Sequence, residues 1–149
     1  HKNSFLVLTD ADHTYDLSSL HKMIKIMLAN EGLGMILGRR VYIYNEEKIL
    51  ILGNRLIRLA HLLLNRVNLR DPLSGLRVIR LGAIRNQKLK SRGFDIEIEI
   101  NCIIRKQGYR ILEFPILYRQ RVGIKKLKLS HAIDIMKRII LLFPKMWLL

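Results

Sequence analysis

The stretch Phe5-Leu6-Val7-Leu8-Thr9-Asp10-Ala11-Asp12 decides how this sequence is interpreted. Its four apolar residues, bounded by polar ones, predict a short buried strand, and two carboxylates follow one residue apart. In open α/β sheets the ligand crevice lies outside the carboxyl ends of the strands. Acids in that position can hold a divalent cation, because hard ions such as Mg2+ bind one or two carboxylates together with substrate phosphate oxygens. An acidic turn that caps the next helix is the alternative, since Asp is common in turns.

The size and composition of the chain indicate one globular domain. Its 149 residues can form one domain with a real core, and half of them are apolar. The single cysteine, Cys102, excludes an internal disulfide and a cysteine-based zinc site and fits a reducing compartment. Because Cys102 lies in an apolar, helix-like stretch, we expect it to be buried.

The charge of the chain points to an anionic partner. The formal net charge is +15, from 27 basic and 12 acidic residues. Nucleic acid, a phosphorylated small molecule and an acidic membrane surface all fit such a charge. Zinc-finger spacing, basic-zipper heptads and RNA-recognition aromatics are missing from the sequence, which disfavours nucleic acid as the partner.

Apolar periodicity predicts alternating strands and helices, which is typical of an α/β domain. A loop at Asp71–Gly75 separates two of them. No uninterrupted apolar stretch approaches the ~20 residues that cross a bilayer. The predicted strands are Phe5–Leu8, Met35–Gly38, Leu76–Leu81 and Arg110–Tyr118, and the predicted helices are Leu17–Asn30, Glu46–Asn65, Gly82–Lys90, Ile96–Lys106 and an amphipathic tail over Ser130–Phe143.

Five polar motifs follow one another along the chain, and together they resemble one family. Their order and spacing resemble family 2 glycosyltransferases, specifically the dolichol-phosphate mannose synthase group and its polyprenyl-phosphate relatives. The resemblance extends roughly from Phe5 to Leu142. The motifs are Thr9–Tyr15, Gly38–Arg40, Asp71–Arg77, Arg92–Glu99 and Glu113–Leu127.

The resemblance implies a partial fold of the GT-A type, the nucleotide-diphospho-sugar transferase fold, which lacks its first βαβ unit and carries a C-terminal amphipathic helix. Residues 1–129 would be an N-terminally truncated catalytic domain, and residues 130–149 an amphipathic tail. Family members begin with a βαβ unit, whereas only four residues precede the first strand here. We therefore expect a fragment or one half of a split enzyme, with another chain supplying the N-terminal half.

The resemblance also implies the site residues. Asp10 and Asp12 match the family's metal-binding Asp-x-Asp motif, which would hold Mg2+ or Mn2+. Arginine grips phosphate oxygens in a bidentate way and lysine adds a point charge, so basic motif residues suit a diphosphate donor. Of the two glutamates in the Arg92–Glu99 motif, Glu99 is the better candidate for a functional role by its position in the family motif. The implied donor-binding residues are Ala11, Thr14, Arg40, Asp71, Ser74, Gly75, Arg92, Arg121 and Lys126.

The predicted function is metal-dependent, inverting transfer of mannose or glucose from GDP-mannose or UDP-glucose to dolichyl or another polyprenyl phosphate. A lipid phosphate is already an anion near neutral pH, so a general base is dispensable. The tail would lie in the membrane interface on the cytoplasmic face, as a peripheral attachment; a core helix on the sheet is the alternative. A non-catalytic remnant or subunit of a split glycosyltransferase and a basic nucleic-acid-binding domain are the rival functions.

Overall fold

The computed structural model describes residues 4–42, 48–119 and 129–147, and a four-stranded sheet forms its centre. The strands are β1 (Phe5–Leu8), β2 (Leu33–Tyr42), β3 (Arg77–Arg80) and β4 (Arg110–Tyr118), in the spatial order β1-β3-β2-β4. β3 runs antiparallel to both of its neighbours, whereas β2 and β4 are parallel. The C-terminal ends of β1, β2 and β4 therefore all lie at one end of the sheet, where β3 begins.

Helices cover both faces of this sheet. They are α1 (Leu20–Ala29), which follows a 3-10 turn at Leu17–Ser19, α2 (Lys48–Asn65), α3 (Leu81–Ile84), α4 (Ile96–Lys106) and α5 (Leu129–Trp147). Alternation along the strands directs side chains to the two faces in turn. One face packs on α1, through Met23, Met27, Ile36, Val78 and Ile116. The other packs on α2, α4 and α5, through Leu37, Ile57, Ile98, Ile135 and Ile139.

The central strand β3 is fully buried although two of its four residues are arginines. Arg80 donates from Nε to the carbonyl of Leu33 at 2.9 Å and from Nη2 to the carbonyls of Met27 and Asn30 at 2.7 and 3.0 Å. A buried guanidinium is tolerated where every donor finds an acceptor. The last carbonyls of a helix supply such acceptors, so Arg80 fixes the end of α1 to the sheet.

Several elements confirm the sequence predictions. α4 and β4 have the predicted bounds, and the Asp71–Gly75 segment is a loop. Cys102 is buried in α4, as expected. The mixed α/β class is confirmed, and the arrangement is compatible with a partial GT-A fold.

The structure corrects several predictions about the extent or burial of elements. β1 is not a buried strand, because it forms the edge of the sheet and leaves Leu6 and Val7 36% and 37% exposed. β2 continues beyond Gly38 to Tyr42, since β4 pairs with it along that length. The helix predicted over Gly82–Lys90 is only the single turn α3, because the chain after it is held by tertiary contacts.

α5 extends from Leu129 to Trp147 and includes Pro144, so it is longer than the predicted tail helix. Among the helices that the described part of the chain forms, none combines the length and apolar character needed to cross a membrane.

Candidate functional site

The polar motifs meet at the end of the sheet where the strands β1 and β2 end and β3 begins. Leu8 at the end of β1 and Leu37 within β2 both pair with Arg77, the first residue of β3. The segment Asp10–Asp12 follows β1, and the Asp71–Gly75 loop leads towards β3. The strand topology therefore brings together motifs that lie some sixty residues apart in the chain.

Thr14 orients the carboxylate of Asp12. Oδ1 of Asp12 accepts hydrogen bonds from the backbone N–H of Thr14 at 3.2 Å and from its hydroxyl at 2.6 Å. His13 lies between them with a φ of 58°, a left-handed conformation that turns the chain back on itself. The side chain of Thr14 is completely buried. Direct contact of Thr14 with a donor stays a prediction, and the structure shows its hydroxyl bonded to Asp12.

Asp10 lies against the Asp71–Gly75 loop. A Cβ atom on Gly75 would come within 2.7 Å of Oδ2 and 2.8 Å of Oδ1 of Asp10, so only glycine fits there without displacing the carboxylate. The resemblance implied that Gly75 binds the donor, and the group that lies against it in the structure is the carboxylate of Asp10.

Tyr15 joins the same two motifs, and the sequence analysis did not single it out. Its hydroxyl accepts a hydrogen bond from the backbone N–H of Gly75 at 2.7 Å. Burial raises the pKa of Tyr15 to about 12, an effect that the positive charge of Arg40 partly offsets. The phenol therefore keeps its proton at neutral pH. Its position three residues after Asp12, within the same motif, was the signal that could have found it.

Arg40 and Asp71 form a bidentate ion pair. Nε and Nη2 of Arg40 donate to Oδ2 and Oδ1 of Asp71 at 2.8 and 2.6 Å, and the backbone N–H of Arg40 donates to Oδ2 at 3.0 Å. The Cζ atom of Arg40 lies 5.4 Å from the ring centre of Tyr118. The carboxylate of Glu113 in turn accepts from the backbone N–H groups of Arg70 and Asp71 at 2.9 Å. Both Arg40 and Asp71 remain predicted donor contacts, and their pairing fixes the direction of the guanidinium.

Ser74 attaches the loop to β2. Its hydroxyl donates to the carbonyl of Gly38 at 2.5 Å, and its side chain is completely buried. Its backbone N–H donates to the carbonyl of Asp71 at 3.2 Å. A bond from Ser74 to a sugar or phosphate stays a prediction, although its proton already has an acceptor here.

Arg77 stabilises the Asp71–Gly75 loop through hydrogen bonds to its backbone carbonyls. Its side chain is buried and donates from Nε to the carbonyl of Ser74 and from Nη2 to that of Pro72, both at 2.9 Å. Nη1 donates to Oδ1 of Asn101 at 2.9 Å and to the carbonyl of Glu97 at 3.1 Å. Burial lowers the pKa of Arg77 to about 10, which still leaves it charged near pH 7. The sequence analysis listed Arg77 only as the last residue of a motif.

The two glutamates at the start of α4 have different environments. The carboxylate of Glu99 accepts from the backbone N–H groups of Lys90 and Ser91, at distances down to 2.7 Å, so it holds the loop before α4. Oε2 of Glu97 is buried and accepts no hydrogen bond within the described chain. Burial raises the pKa of Glu97; the charge of Arg77 lowers it, and that of Asp10 raises it further. The charge of Asp10 thus acts on Glu97, whereas Glu99, which the resemblance favoured, is bonded to the loop before α4.

The other predicted residues are less constrained. Ala11 and Arg92 are exposed, the first between the two aspartates and the second in the loop before α4. Arg121 and Lys126 lie outside the described residues. Within the described ranges, no group of three or more His, Cys, Asp or Glu side chains could hold a metal ion. A cation bound by Asp10 and Asp12 would therefore complete its shell with water or ligand oxygens, as Mg2+ does in many proteins.

Comparison with known proteins gives two matches, both from Haloferax volcanii. Glycosyltransferase AglJ is 28% identical over 120 residues, which cover 78% of this chain and 39% of AglJ. A dolichyl-phosphate hexose transferase is 31% identical over 126 residues, which cover 82% of this chain and 53% of that protein. The chain thus spans about half or less of the length of the curated relatives it matches. No protein-family model matches the chain.

Proposed function

We propose that this chain forms the part of a polyprenyl-phosphate glycosyltransferase that binds a nucleotide sugar. The premise is the relationship to such enzymes that its motifs predicted and that the two matches support. The enzyme would transfer mannose or glucose from GDP-mannose or UDP-glucose to dolichyl or another polyprenyl phosphate. The observation that supports this most is the packing of Asp10 against Gly75, because it joins the Asp-x-Asp segment to the Asp71–Gly75 loop in one site.

Asp10 and Asp12 are the proposed ligands of Mg2+ or Mn2+. Their hard carboxylate oxygens fit such an ion, and Thr14 presents Oδ1 of Asp12 in a fixed direction. When bound, the cation would offset the negative charge that develops on the departing nucleoside diphosphate.

Arg40 is the best-oriented candidate for a phosphate contact. The bonds from Asp71 fix the plane of its guanidinium, so little side-chain entropy is lost when a ligand binds. Arg92, Arg121 and Lys126 are proposed to add positive charge around the same diphosphate. Ala11, Ser74 and Gly75 would contribute backbone or hydroxyl contacts to the donor.

The acceptor phosphate supplies its own nucleophile. One of its anionic oxygens forms a bond to the anomeric carbon while the bond from that carbon to the diphosphate oxygen breaks, which inverts the configuration. No proton has to be removed from the nucleophile, so we assign no general base. Positioning and charge neutralisation would then provide the catalysis.

We further propose that α2 and α5 rest on the cytoplasmic face of a membrane as a peripheral attachment. The two helices pack against each other, and α5 also contributes Ile135 and Ile139 to the core. Their outer faces combine exposed basic residues with apolar side chains that have no cover within the described chain, an arrangement typical of interfacial helices. The exposed apolar residues are Ile51, Leu52, Leu56, Leu59, Leu63, Ile133, Ile140, Leu141, Phe143 and Trp147.

Sugar transfer to dolichyl phosphate tests the proposed function. The chain would be assayed in vesicles with GDP-mannose or UDP-glucose, with and without Mn2+, both alone and with a family N-terminal βαβ unit supplied as a second chain. We expect Mn2+-dependent transfer that Asp12→Ala abolishes. Glu31→Ala is the matched control, since Glu31 is an exposed acid that precedes β2, at the opposite edge of the sheet. Transfer by Asp12→Ala at the wild-type rate would contradict the proposed metal site, and binding of oligonucleotides in place of nucleotide sugar would favour the nucleic-acid alternative.

A further inference from the structure

A continuous series of buried polar side chains connects the Asp71–Gly75 loop to α5. It begins at Asn101 on α4, whose Oδ1 accepts from Nη1 of Arg77 at 2.9 Å and whose Nδ2 donates to the carbonyl of Pro72 at 3.1 Å. The same Nδ2 lies 3.4 Å from Nε2 of His61 on α2. Asn101 thus contacts the loop, the arginine beneath it and a second helix at once.

The series continues through α2 to the backbone of α5. Nδ1 of His61 lies 2.9 Å from Oδ1 of Asn65, and Nδ2 of Asn65 donates to the carbonyl of Ile139 at 3.0 Å. Because Asn65 donates through its amide nitrogen, its oxygen must accept, so the proton of the neutral imidazole is on Nδ1. Burial lowers the pKa of His61 to about 4, which keeps the ring neutral at physiological pH.

These side chains are unusual for a core between helices. Asn101, His61 and Asn65 are all completely buried, where apolar residues would pack at no cost in desolvation. Each of their groups is satisfied only while its neighbour keeps its place, so a shift at one end leaves an unpaired polar group along the series. A polar network of this kind specifies one relative position of the helices more strictly than apolar packing does.

Two further hydrogen bonds connect α4 and α2 to α5. Oδ2 of Asp95, the residue before α4, accepts from Nε of Arg138 on α5 at 2.7 Å. At the far end of α5, Nε1 of Trp147 donates to the carbonyl of Leu64 on α2 at 2.9 Å. The helices that carry Asn101 and His61 are therefore both fastened to α5.

We propose that Asn101 and His61 are positioning residues, through which the placement of α5 against α2 sets the geometry of the Asp71–Gly75 loop. This inference rests on the proposed function only in taking the loop as part of the donor site. A spatial series of contacts is not itself evidence of energetic coupling, so the proposal requires a measurement at one end after a change at the other.

Amide hydrogen exchange in the isotope-labelled chain provides that measurement. The amides of Ser74 and Gly75 report on the loop, since they donate to the Asp71 carbonyl and the Tyr15 hydroxyl. Asn65→Leu breaks the series at the end remote from the loop. Ile84→Ala is the matched control, because Ile84 packs in a separate cluster that contains no residue of α2 or α5.

We expect Asn65→Leu to speed exchange at the two loop amides about tenfold more than at the β2 amide of Ile36. Ile84→Ala should speed all three equally, as a general loss of stability would. Equal effects of the two variants, or no local effect of Asn65→Leu, would overturn the proposal. If Asn65→Leu fails to fold, His61→Phe replaces it and His61→Gln, which can restore both hydrogen bonds, must rescue the loop protection.

Donor affinity separates this inference from the proposed function. Calorimetric titration of the wild-type chain with GDP-mannose and Mn2+ tests the function alone. No binding there would count against the donor site, while the exchange comparison would still decide whether α5 positions the loop.

Discussion

Replacing Gly75 with alanine gives the sharpest test of the site. The added Cβ would lie 2.7 Å from Oδ2, 2.8 Å from Oδ1 and 2.9 Å from Cγ of Asp10, whereas ordinary contacts begin near 3.4 Å. The carboxylate must therefore retreat by about 0.7 Å, and metal-ligand distances tolerate only about 0.2 Å. We expect the affinity for Mn2+ to fall roughly 10- to 100-fold, as when the orientation of a metal ligand is lost.

The same substitution should leave the fold nearly intact. Asp10 is an exposed side chain that can rotate away, so the loss of unfolding free energy should stay below about 1 kcal/mol. Two glycines serve as controls. At Gly34 a Cβ would meet Tyr109 Cβ at 2.6 Å and Ile104 Cγ2 at 2.9 Å, so Gly34→Ala should cost about 1–3 kcal/mol without a specific effect on Mn2+. At Gly53, in α2, a Cβ meets nothing within 4 Å, and Gly53→Ala should stabilise by about 0.5–1 kcal/mol.

Calorimetric titration with Mn2+, in parallel with urea denaturation, separates the two effects. Wild-type affinity for Mn2+ in Gly75→Ala would refute the reasoning, because the displaced Asp10 could not then belong to the metal site. A loss of affinity in Gly34→Ala as large as in Gly75→Ala would refute it equally, since the effect would then be general.

Three further predictions concern stability. Arg77→Met should lower the unfolding free energy by about 3–5 kcal/mol, because it leaves the carbonyl of Ser74 and the amide oxygen of Asn101 without their donor. A loss under about 1 kcal/mol in urea denaturation would contradict this. Burial lowers the pKa of His61 to about 4 in the folded chain, whereas the ordinary value of 6.5 applies when the chain is unfolded. Between these pH values the unfolded chain binds the extra proton, so the unfolding free energy should fall by up to about 3 kcal/mol as the pH drops from 6.5 to 4. His61→Gln should remove that part of the dependence of stability on pH. His13→Val should lower the unfolding free energy by about 1–2 kcal/mol, because a branched side chain is disfavoured at the φ of 58°, and His13→Gly should not lower it. Thermal melts of the two variants check this, and equal melting temperatures would mean that the turn is not constrained.

Local patterns predicted those elements whose apolar periodicity is clear in the sequence. The bounds of α4 and β4 follow from their periodicity. The resemblance named Asp10, Gly75 and Arg40 as site residues, and in the structure they lie around the Asp71–Gly75 loop. Four apolar residues cannot reveal whether a strand is central or at the edge, so the exposure of β1 was missed. The chain after α3 was predicted to stay helical, but the backbone N–H groups of Lys90 and Ser91 donate to the carboxylate of Glu99 on α4 rather than to carbonyls of their own turn.

The buried charges were beyond sequence analysis for a different reason. Composition alone assigns arginine to the surface. Arg77 and Arg80 are buried because a loop and a helix end offer them carbonyl acceptors, and those acceptors converge only in the folded chain. The pairing of Arg40 with Asp71 likewise joins residues from two motifs that sequence inspection treats separately.

The strand order β1-β3-β2-β4 has a consequence for how the chain assembles during synthesis. β1 (Phe5–Leu8) is synthesised before its partner β3 (Arg77–Arg80), which lies roughly seventy residues later in the chain. Pairing over such separations is slow, because the entropy of closing a long loop is lost before the contact forms. β1 therefore stays without its strand partner until β3 has been synthesised, and its apolar residues lack the cover of the sheet over that interval.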